Sequence, residues 1–292
     1  MKFTLSIAFC DARHYVPLAR AADAAGWESI SVLEGLFYYA DATYAYPVAE
    51  TGAPYWQPTT PYIDPFTAVA AMAAVTERVN FYTNIVKLPL RHPLMVAKTA
   101  TSLAALSAGR FALGVGLSSW RQDYEVLGEE WADRGARSAE MVEIIRGIAK
   151  GGRFAFKGRF YDVPPMEIAP IPEHAIPIYF GGQADAVLRR AARIGDGYIG
   201  TENADCTLDD LPELLTHLKS YLADAGRADA PFEFKYVPGT VGVDMLRRLA
   251  DLGVTDAVVW PWYYFPGDPN DLDHKIRSIR RFRDEIVPLV GG

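Results

Sequence analysis

Short segments rich in β-branched and aromatic residues alternate along the chain with longer segments rich in Ala, Leu and Arg. A helix-length segment follows each strand-length one, which is the pattern of repeated β–α units. The predicted strands span residues 3–9, 28–33, 79–86, 111–115, 177–180, 197–200, 232–237 and 257–260. The predicted helices span residues 17–25, 65–76, 93–106, 137–149, 184–194, 208–225, 243–252 and 271–287. Eight such units predict an α/β fold, a single (β/α)8 TIM barrel.

A doubly wound parallel sheet is the alternative, but it usually has a glycine-rich turn after its first strand, and FCDARHY contains no glycine. Two segments fall outside the alternation. Residues 34–64, after the second strand, are rich in aromatic residues and proline, and residues 151–172 precede the fifth strand. The second segment contains FAFKGRFYDV, a predicted hairpin that turns at Lys157-Gly158. We interpret both as insertions in one domain of residues 1–292, because long loops in compact domains are often lids or binding loops.

Composition excludes several function classes. A net charge of −7 argues against a basic nucleic-acid-binding face, and no apolar run approaches the ~18 residues of a membrane span. Cys10 and Cys206 form neither a disulfide framework nor a metal motif, and the five histidines lack metal-ligand spacing. We expect a cytoplasmic protein without a metal site that acts on a small molecule and binds neither nucleic acid nor membranes.

Three stretches are more specific. They are RVNFYTNIVKLPLRHPLMVAKTATSLAALSAGRFALGVG, then SSWRQDYEVLGEEWADRGARSAEMVEIIRGI, and then IPIYFGGQADAVLRRAARIGDGYI. In this order they resemble the bacterial luciferase-like superfamily of flavin- and deazaflavin-dependent oxidoreductases, over roughly residues 3–200. The aromatic insertion followed by Asp64-Pro65 is similar to the branch that uses coenzyme F420, an 8-hydroxy-5-deazaflavin. The resemblance implies hydride transfer between F420 and an apolar or aromatic small molecule.

The resemblance also implies where the cofactor binds. The turn Gly181–Gln183 opens a helix, where backbone N–H groups can approach a phosphate; a ligand-free glycine turn is the alternative. The family has a non-proline cis peptide bond at the end of the third strand, which we assign to Asn84–Ile85, although an ordinary strand end fits the residues equally well. The predicted cofactor-binding residues are Thr83, Asn84, Ile85, Ser118, Ser119, Gly181, Gly182 and Gln183.

An anionic cofactor chain also needs a local basic patch, which the sequence does not locate. Arg189 and Arg190 follow the glycine turn on a helix, and we expect both to face solvent.

Two residues are candidates for acid/base catalysis. Glu34 ends the second strand at a position where relatives carry an acidic residue, often followed by a catalytic His in the sugar-phosphate dehydrogenases. Here Gly35 follows, so sugar-phosphate chemistry is in doubt, and Glu34 is either a proton relay or an ion-pair partner. His14 follows the first strand and titrates near neutrality, although an exposed loop histidine is the common alternative. We expect His92 to cap or pack against its helix.

Aromatic residues are concentrated in two loops at the same end of the predicted barrel. Amphipathic rings around a barrel mouth suit a flat apolar substrate; packing in a lid or dimer interface is the alternative. Trp120 is either a stacking wall or part of a helix core. The predicted substrate-binding residues are Tyr38, Tyr39, Trp56, Trp120, Trp260 and Tyr263.

Alternative functions stay open. An FMN-dependent monooxygenase would share the ring and first phosphate of the cofactor, and a separate flavin reductase would supply its reduced flavin. A non-catalytic flavin-binding barrel is the second alternative. Lys87 and Lys235 raise the remote alternative of Schiff-base chemistry. The resemblance further implies a homodimer.

Overall fold

The computed structural model describes residues 1–290 except 47, 48, 50, 55, 204 and 205. Its strands are β1 (Lys2–Ser6), β2 (Ser29–Val32), β3 (Asn80–Thr83), β4 (Val86–Lys87), β5 (Phe111–Gly116), β6 (Phe154–Lys157), β7 (Asp162–Met166), β8 (Ile178–Gly181), β9 (Gly197–Thr201), β10 (Glu233–Val237) and β11 (Asp256–Val259). Eight of them are parallel neighbours in the order β3-β2-β1-β11-β10-β9-β8-β5, and pairing of β3 with β5 closes the ring. The predicted (β/α)8 TIM barrel is confirmed.

The helices surround this barrel. They are α1 (Tyr15–Ala24), α2 (Pro65–Ala73), α3 (Pro93–Leu106), α4 (Arg121–Leu127), α5 (Arg134–Ala149), α6 (Asp185–Ile194), α7 (Leu211–Asp224), α8 (Val243–Leu252), α9 (Leu272–Arg281) and α10 (Val287–Val290), with a π-helical turn at Phe282–Ile286. Several begin on side chains that cap them: the Asp64 carboxylate accepts from the N–H of Thr67, and His92 Nδ1 accepts from Leu94, as expected for His92. Within the described residues no helix is long and apolar enough to cross a membrane.

Several predicted boundaries were wrong. The helix predicted to begin at residue 137 begins at Arg134, and the short α4 before it was not predicted. The first strand ends at Ser6 rather than at residue 9, because Phe9 adopts a left-handed conformation with φ 62° that strand pairing does not allow.

The third predicted strand is interrupted. It ends at Thr83, and after the Asn84–Ile85 bond the chain resumes as β4, which pairs Val86 with Val115 of β5. The Asn84–Ile85 peptide bond is cis, as predicted. This bulge places Ile85 at the C-terminal end of the barrel.

The interior of the barrel is divided into an ionic lower end and an apolar upper end. At the N-terminal ends of β10 and β11, Lys235 Nζ lies 2.7 Å from Asp256 Oδ2 and 2.6 Å from Glu233 Oε2. Burial opposes the charge of Lys235, but these carboxylates raise its pKa above the ordinary value. The ammonium group lies at the end opposite the active-site face of TIM barrels, so a Schiff-base role for Lys235 has no structural support.

The two insertions differ in structure. Between β2 and α2, the described residues contain no helix or strand. In the second insertion β6 and β7 pair antiparallel with Lys157 opposite Asp162, which confirms the predicted hairpin.

Candidate active site

The floor of the barrel mouth is apolar. A buried cluster fills the upper interior, and Ile85 and Trp260 pack on it. A Cβ atom on Gly116 would overlap the end of the Ile85 side chain, and one on Gly181 would lie 2.9 Å from Ile85 Cγ2. Ile85 therefore fills the space that two glycines leave free, and with Trp260 it forms a platform at the C-terminal end of the barrel. The cluster beneath consists of Tyr82, Ala112, Tyr179, Ile199, Val237 and Val258.

The glycine turn lies beside this platform. Gly182 has φ 126°, which favours glycine, and α6 begins two residues after Gln183. The N-cap residue Ala184 has no side-chain hydrogen bond to cap the helix. Gln183 Nε2 donates to the carbonyl of Thr201 at 2.6 Å, so this side chain ties the turn to β9. Because the Gln183 side chain is engaged in this way, an anion at the turn would be bound by backbone N–H groups.

The predicted cofactor residues of β3 and β5 have different environments. Thr83 is fully buried, and its hydroxyl both donates to the carbonyl of Gly114 and accepts from the N–H of Gly114. It therefore joins β3 to β5 and does not line the mouth. Ser119 is exposed, whereas the Ser118 hydroxyl donates to Asp123 Oδ2 at 2.8 Å.

Glu34 lies in a bidentate ion pair. Its Oε1 is 2.6 Å from Arg91 Nη2, and its Oε2 accepts from Arg91 Nη1 and from the N–H of Lys87 at 2.8 Å. Burial raises the pKa of Glu34 against the attraction of Arg91, and the side chain is 1% exposed. This geometry corresponds to the ion-pair alternative, and it fixes the backbone just after the cis bulge.

A second carboxylate, which no sequence pattern indicated, lies next to this pair. Asp123 is 1% exposed and accepts from three groups: Lys87 Nζ at 2.6 Å, Tyr39 Oη at 2.9 Å and Ser118 Oγ at 2.8 Å. It joins the end of β4, the loop after β5 and the first insertion. The pairing leaves a Schiff-base role for Lys87 without structural support, because the ammonium group is held by a carboxylate.

The first insertion is fixed on α4 through its aromatic residues. Trp120 is 2% exposed, its Nε1–H donates to the carbonyl of Tyr44 at 2.9 Å, and Tyr39 packs edge-on against it at 4.7 Å. Gln122 Oε1 accepts from the N–H of Thr43. Of the two interpretations of Trp120, the packing role is therefore the observed one, and Tyr39 shares it.

The remaining predicted substrate residues divide between two places. A cavity of about 120 Å3 lies within the insertion, and Tyr38 and Trp56 line it. Tyr62 also lines it and lies against Gly35: a Cβ atom on Gly35 would come within 2.6 Å of Tyr62 Cγ. Tyr263 is 56% exposed on the loop after β11. The Tyr62 ring thus occupies the space that a side chain at position 35 would need.

His14 belongs to a cluster around a buried lysine. Lys275 is 3% exposed, and its Nζ lies 3.3 Å from His14 Nδ1 and 3.4 Å from Cys10 Sγ, with the Trp262 ring centroid 5.1 Å away. Because an ammonium group only donates, His14 Nδ1 must accept, which places the imidazole proton on Nε2. Partial burial and then Lys275 lower the pKa of His14, so the ring is held neutral. No local pattern pointed to Lys275, which lies 261 positions from His14.

The two adjacent arginines of α6 differ. Arg189 is exposed and pairs with Asp185 at 2.7 Å, as expected. Arg190 is less exposed than predicted, because its guanidinium lies partly buried against Gly135 of α5. Across the part of the chain described by the structure, no group of three or more His, Cys, Asp or Glu residues could hold a metal ion.

These features define the class: a TIM-barrel protein with a glycine-lined mouth and a platform on a cis bulge at its C-terminal end. The family model for luciferase-like monooxygenases matches residues 6–244. A protein of Mycobacterium tuberculosis described as uncharacterized is 40% identical over 99% of this chain and 100% of its own. The F420-dependent glucose-6-phosphate dehydrogenase of Beutenbergia cavernae is 32% identical over 72% of this chain and 71% of its own.

Two solved structures resemble this barrel with a TM-score of 0.77 over 99% of both chains. One is a monooxygenase from Streptomyces bottropensis at 18% identity, and the other is an F420-dependent secondary alcohol dehydrogenase at 16% identity. At this identity the likeness shows the fold alone. The family model and the 32% identical relative show that the chain belongs to the luciferase-like monooxygenase family, and with it to the oxidoreductases.

Proposed function

We propose that this protein is a coenzyme F420-dependent oxidoreductase that transfers a hydride between the deazaflavin and an apolar or aromatic small molecule. The observation that carries the proposal is the platform: Ile85 on its cis bulge, packed over Gly116 and Gly181 beside the opening of α6. A flat ring needs such an apolar support, and a phosphate chain needs the N–H groups of the neighbouring turn. The bound deazaflavin supplies the hydride chemistry, and the protein supplies orientation and a proton.

The chain's own residues have separate tasks in this proposal. Ile85 and Trp260 support the ring, the turn Gly181–Gln183 binds the phosphate, and the exposed Ser119 contacts the ring edge. The Glu34–Arg91 pair holds the bulge in place through the N–H of Lys87. Glu34 stays a candidate proton relay, but both its oxygens already accept hydrogen bonds.

His14 is the better candidate to exchange a proton with the substrate, because its Nε2 is not used by Lys275. Because the pKa of His14 is lowered, its imidazole is uncharged at neutral pH. In this form it donates a hydrogen bond from Nε2. It can polarise a carbonyl oxygen without carrying a positive charge.

We propose that the substrate is not a sugar phosphate. Relatives named F420-dependent glucose-6-phosphate dehydrogenase support the cofactor, as does the alcohol dehydrogenase structure, which is a complex with an F420–acetone adduct. Gly35, however, stands where such enzymes often carry His, and Tyr62 fills that space. The cavity beside it is lined by the rings of Tyr38, Trp56 and Tyr62, which can pack against a planar molecule, and by Gln57 and Thr60, which can hydrogen-bond to it.

The second candidate is an FMN-dependent monooxygenase that receives reduced flavin from a separate reductase. The family description and the Streptomyces monooxygenase favour it, because the same platform would support an isoalloxazine ring. A non-catalytic flavin-binding barrel is the third candidate, and Gly35, where the sugar-phosphate dehydrogenases often carry His, favours it. A homodimer, a cytoplasmic location and the absence of nucleic-acid or membrane partners remain predictions.

Turnover tests the proposal. Reduced F420 is mixed with the protein and a panel of planar enones, imines and aldehydes, and oxidation of the deazaflavin is followed by absorbance with and without oxygen. We expect substrate-dependent, oxygen-independent oxidation, and loss of it in Ile85→Gly, with the exposed Ile171→Gly as the matched control. Turnover that occurs only with reduced FMN and oxygen would establish the monooxygenase instead, and no turnover with either cofactor would favour the non-catalytic barrel.

A further inference from the structure

Arg190 is placed unusually for a surface arginine. Its guanidinium lies on α5, where a Cβ atom on Gly135 would collide with Nη2 and lie 3.4 Å from Cζ. The same Cβ position is 3.8 Å from Leu117 Cδ1, so the group reaches the loop directly after β5. A side chain at position 135 would displace the guanidinium from this position.

No carboxylate pairs with Arg190 anywhere in the described chain. Burial and then the charge of Arg193 lower its pKa, and no acidic side chain offsets them. Among the described residues the guanidinium of Arg190 has no hydrogen-bond acceptor, and none of its nitrogens is fully buried, so its five N–H donors can still reach a ligand. By contrast, the nearby arginines with carboxylate partners are Arg137, Arg146, Arg159 and Arg189.

A second arginine, which precedes Gly135 on α5, is also incompletely satisfied. This residue, Arg134, stacks on Trp131 with 3.5 Å from Cζ to the ring centroid. One N–H donates to the carbonyl of Trp131, but Nε is buried without a partner, and burial lowers the pKa of Arg134. Neither arginine has a carboxylate partner among the described residues, although the net charge of the chain is −7.

The position of Arg190 relates its charge to the cofactor. Leu117 follows β5 and the turn Gly181–Gln183 follows β8, and these strands are neighbours, with Val115 paired to Phe180. Long helical side chains lean toward the N-terminus of their helix, so Arg190 extends from α6 toward the mouth. An oxyanion bound between the two loops would reach both the glycine turn and the arginine.

We propose that Arg190 binds the negatively charged chain of the cofactor, through its phosphate ester or the carboxylates attached beyond it. The inference rests on the proposed function for the identity of the cofactor. Arg190 thereby supplies the basic group that the glycine turn lacks, and it discriminates a phosphorylated cofactor from its riboside. A substrate carboxylate has the same oxyanion chemistry and is the competing source of the ligand.

Equilibrium binding tests the proposal without turnover. Fluorescence titrations measure the affinities of F420 and of the 8-hydroxy-5-deazaflavin riboside that lacks the phosphate chain, and FMN and riboflavin form a second pair. We expect Arg190→Met to weaken binding of the phosphorylated member about ten- to a hundredfold and to leave the riboside unchanged. Arg189→Met, which removes the same charge from the adjacent position, is the control and should change neither affinity. Arg190→Lys should have an intermediate effect, and thermal unfolding confirms that each variant is folded.

Each outcome decides one question. Equal losses for the phosphorylated cofactor and the riboside, or no loss, would overturn the assignment of Arg190. Weakened binding of benzoate with unchanged cofactor affinity would overturn it in favour of a substrate carboxylate. If wild-type protein binds only the FMN pair, the proposed F420 function fails, and the FMN–riboflavin comparison still decides the role of Arg190.

Discussion

Substituting Gly35 by Ala isolates the contact that separates this site from one with a side chain at position 35. The added Cβ atom would lie 2.6 Å from Tyr62 Cγ and 2.8 Å from Tyr62 Cε2, distances at which the ring must move. The φ angle of Gly35 lies outside the left-handed region, so Ala fits the backbone without strain. The whole effect of the substitution is therefore expected to come from Tyr62.

The magnitude follows from the overlap. Inserting a methyl group into a packed site costs about 1–3 kcal/mol, whereas Gly→Ala at an unstrained position stabilises by about 0.4–1 kcal/mol through the unfolded chain. At this chain length a loss of 1–3 kcal/mol lowers Tm by roughly 2–5 °C. With Tyr62 truncated to Ala, the same Gly35→Ala change should become neutral or slightly stabilising.

A double-mutant cycle measures this coupling. Thermal and urea unfolding of wild type, Gly35→Ala, Tyr62→Ala and the double variant give the interaction free energy directly. We expect Gly35→Ala to destabilise only when Tyr62 is present, and to weaken binding of planar apolar compounds in the adjoining cavity. Additive effects of the two substitutions would refute the packing of Tyr62 on Gly35, and with it the explanation for glycine at this position.

Two further perturbations address the buried charges. Burial and then the Lys275 cation lower the pKa of His14 below its ordinary value of 6.5, so Lys275→Met should raise it. NMR titration of His14 measures this, with Lys275→Arg as the charge-preserving control. The unfolded chain protonates His14 at a higher pH than the folded chain does, because the pKa of His14 is lowered on folding. The contribution of His14 to the free energy of unfolding is therefore fully present above pH 6.5 and is lost as the pH falls toward the lower folded pKa. Lys275→Met should reduce that loss. An unchanged His14 pKa would contradict the contact. Asp123→Asn leaves Lys87 without its carboxylate and should destabilise by roughly 3 kcal/mol, the low end for a broken buried pair, as measured by urea unfolding. Asp224→Asn, an exposed position without an ion pair in the described chain, should have almost no effect.

The sequence predicted the barrel because its evidence is local and repeated eight times. Alternating strands and helices, together with prolines in the first turn of α2 and α3, require no knowledge of distant contacts. The cis bond at Asn84–Ile85 was predicted only through the family resemblance, since the residues fit a continuous strand as well. Helix α4 was missed because its seven residues are too short to show a helical period.

The site was less predictable, because contacts between distant positions form it. Arg190 was expected in solvent together with Arg189, whereas in the folded chain its guanidinium lies against Gly135 of α5. Trp120 became a packing residue through the carbonyl of Tyr44, 76 positions away. No local pattern distinguishes such side chains from an ordinary surface or core residue.

The comparison of F420 with FMN in equilibrium titrations of the wild-type protein tests the central claim most directly. In the proposed site both cofactors would lie on the platform at Ile85, so the preference between them reports on the ring and chain that the site accepts. We predict that F420 binds at least about tenfold more tightly than FMN, a difference of about 1.4 kcal/mol. Tight binding of FMN with no measurable affinity for F420 would contradict the account.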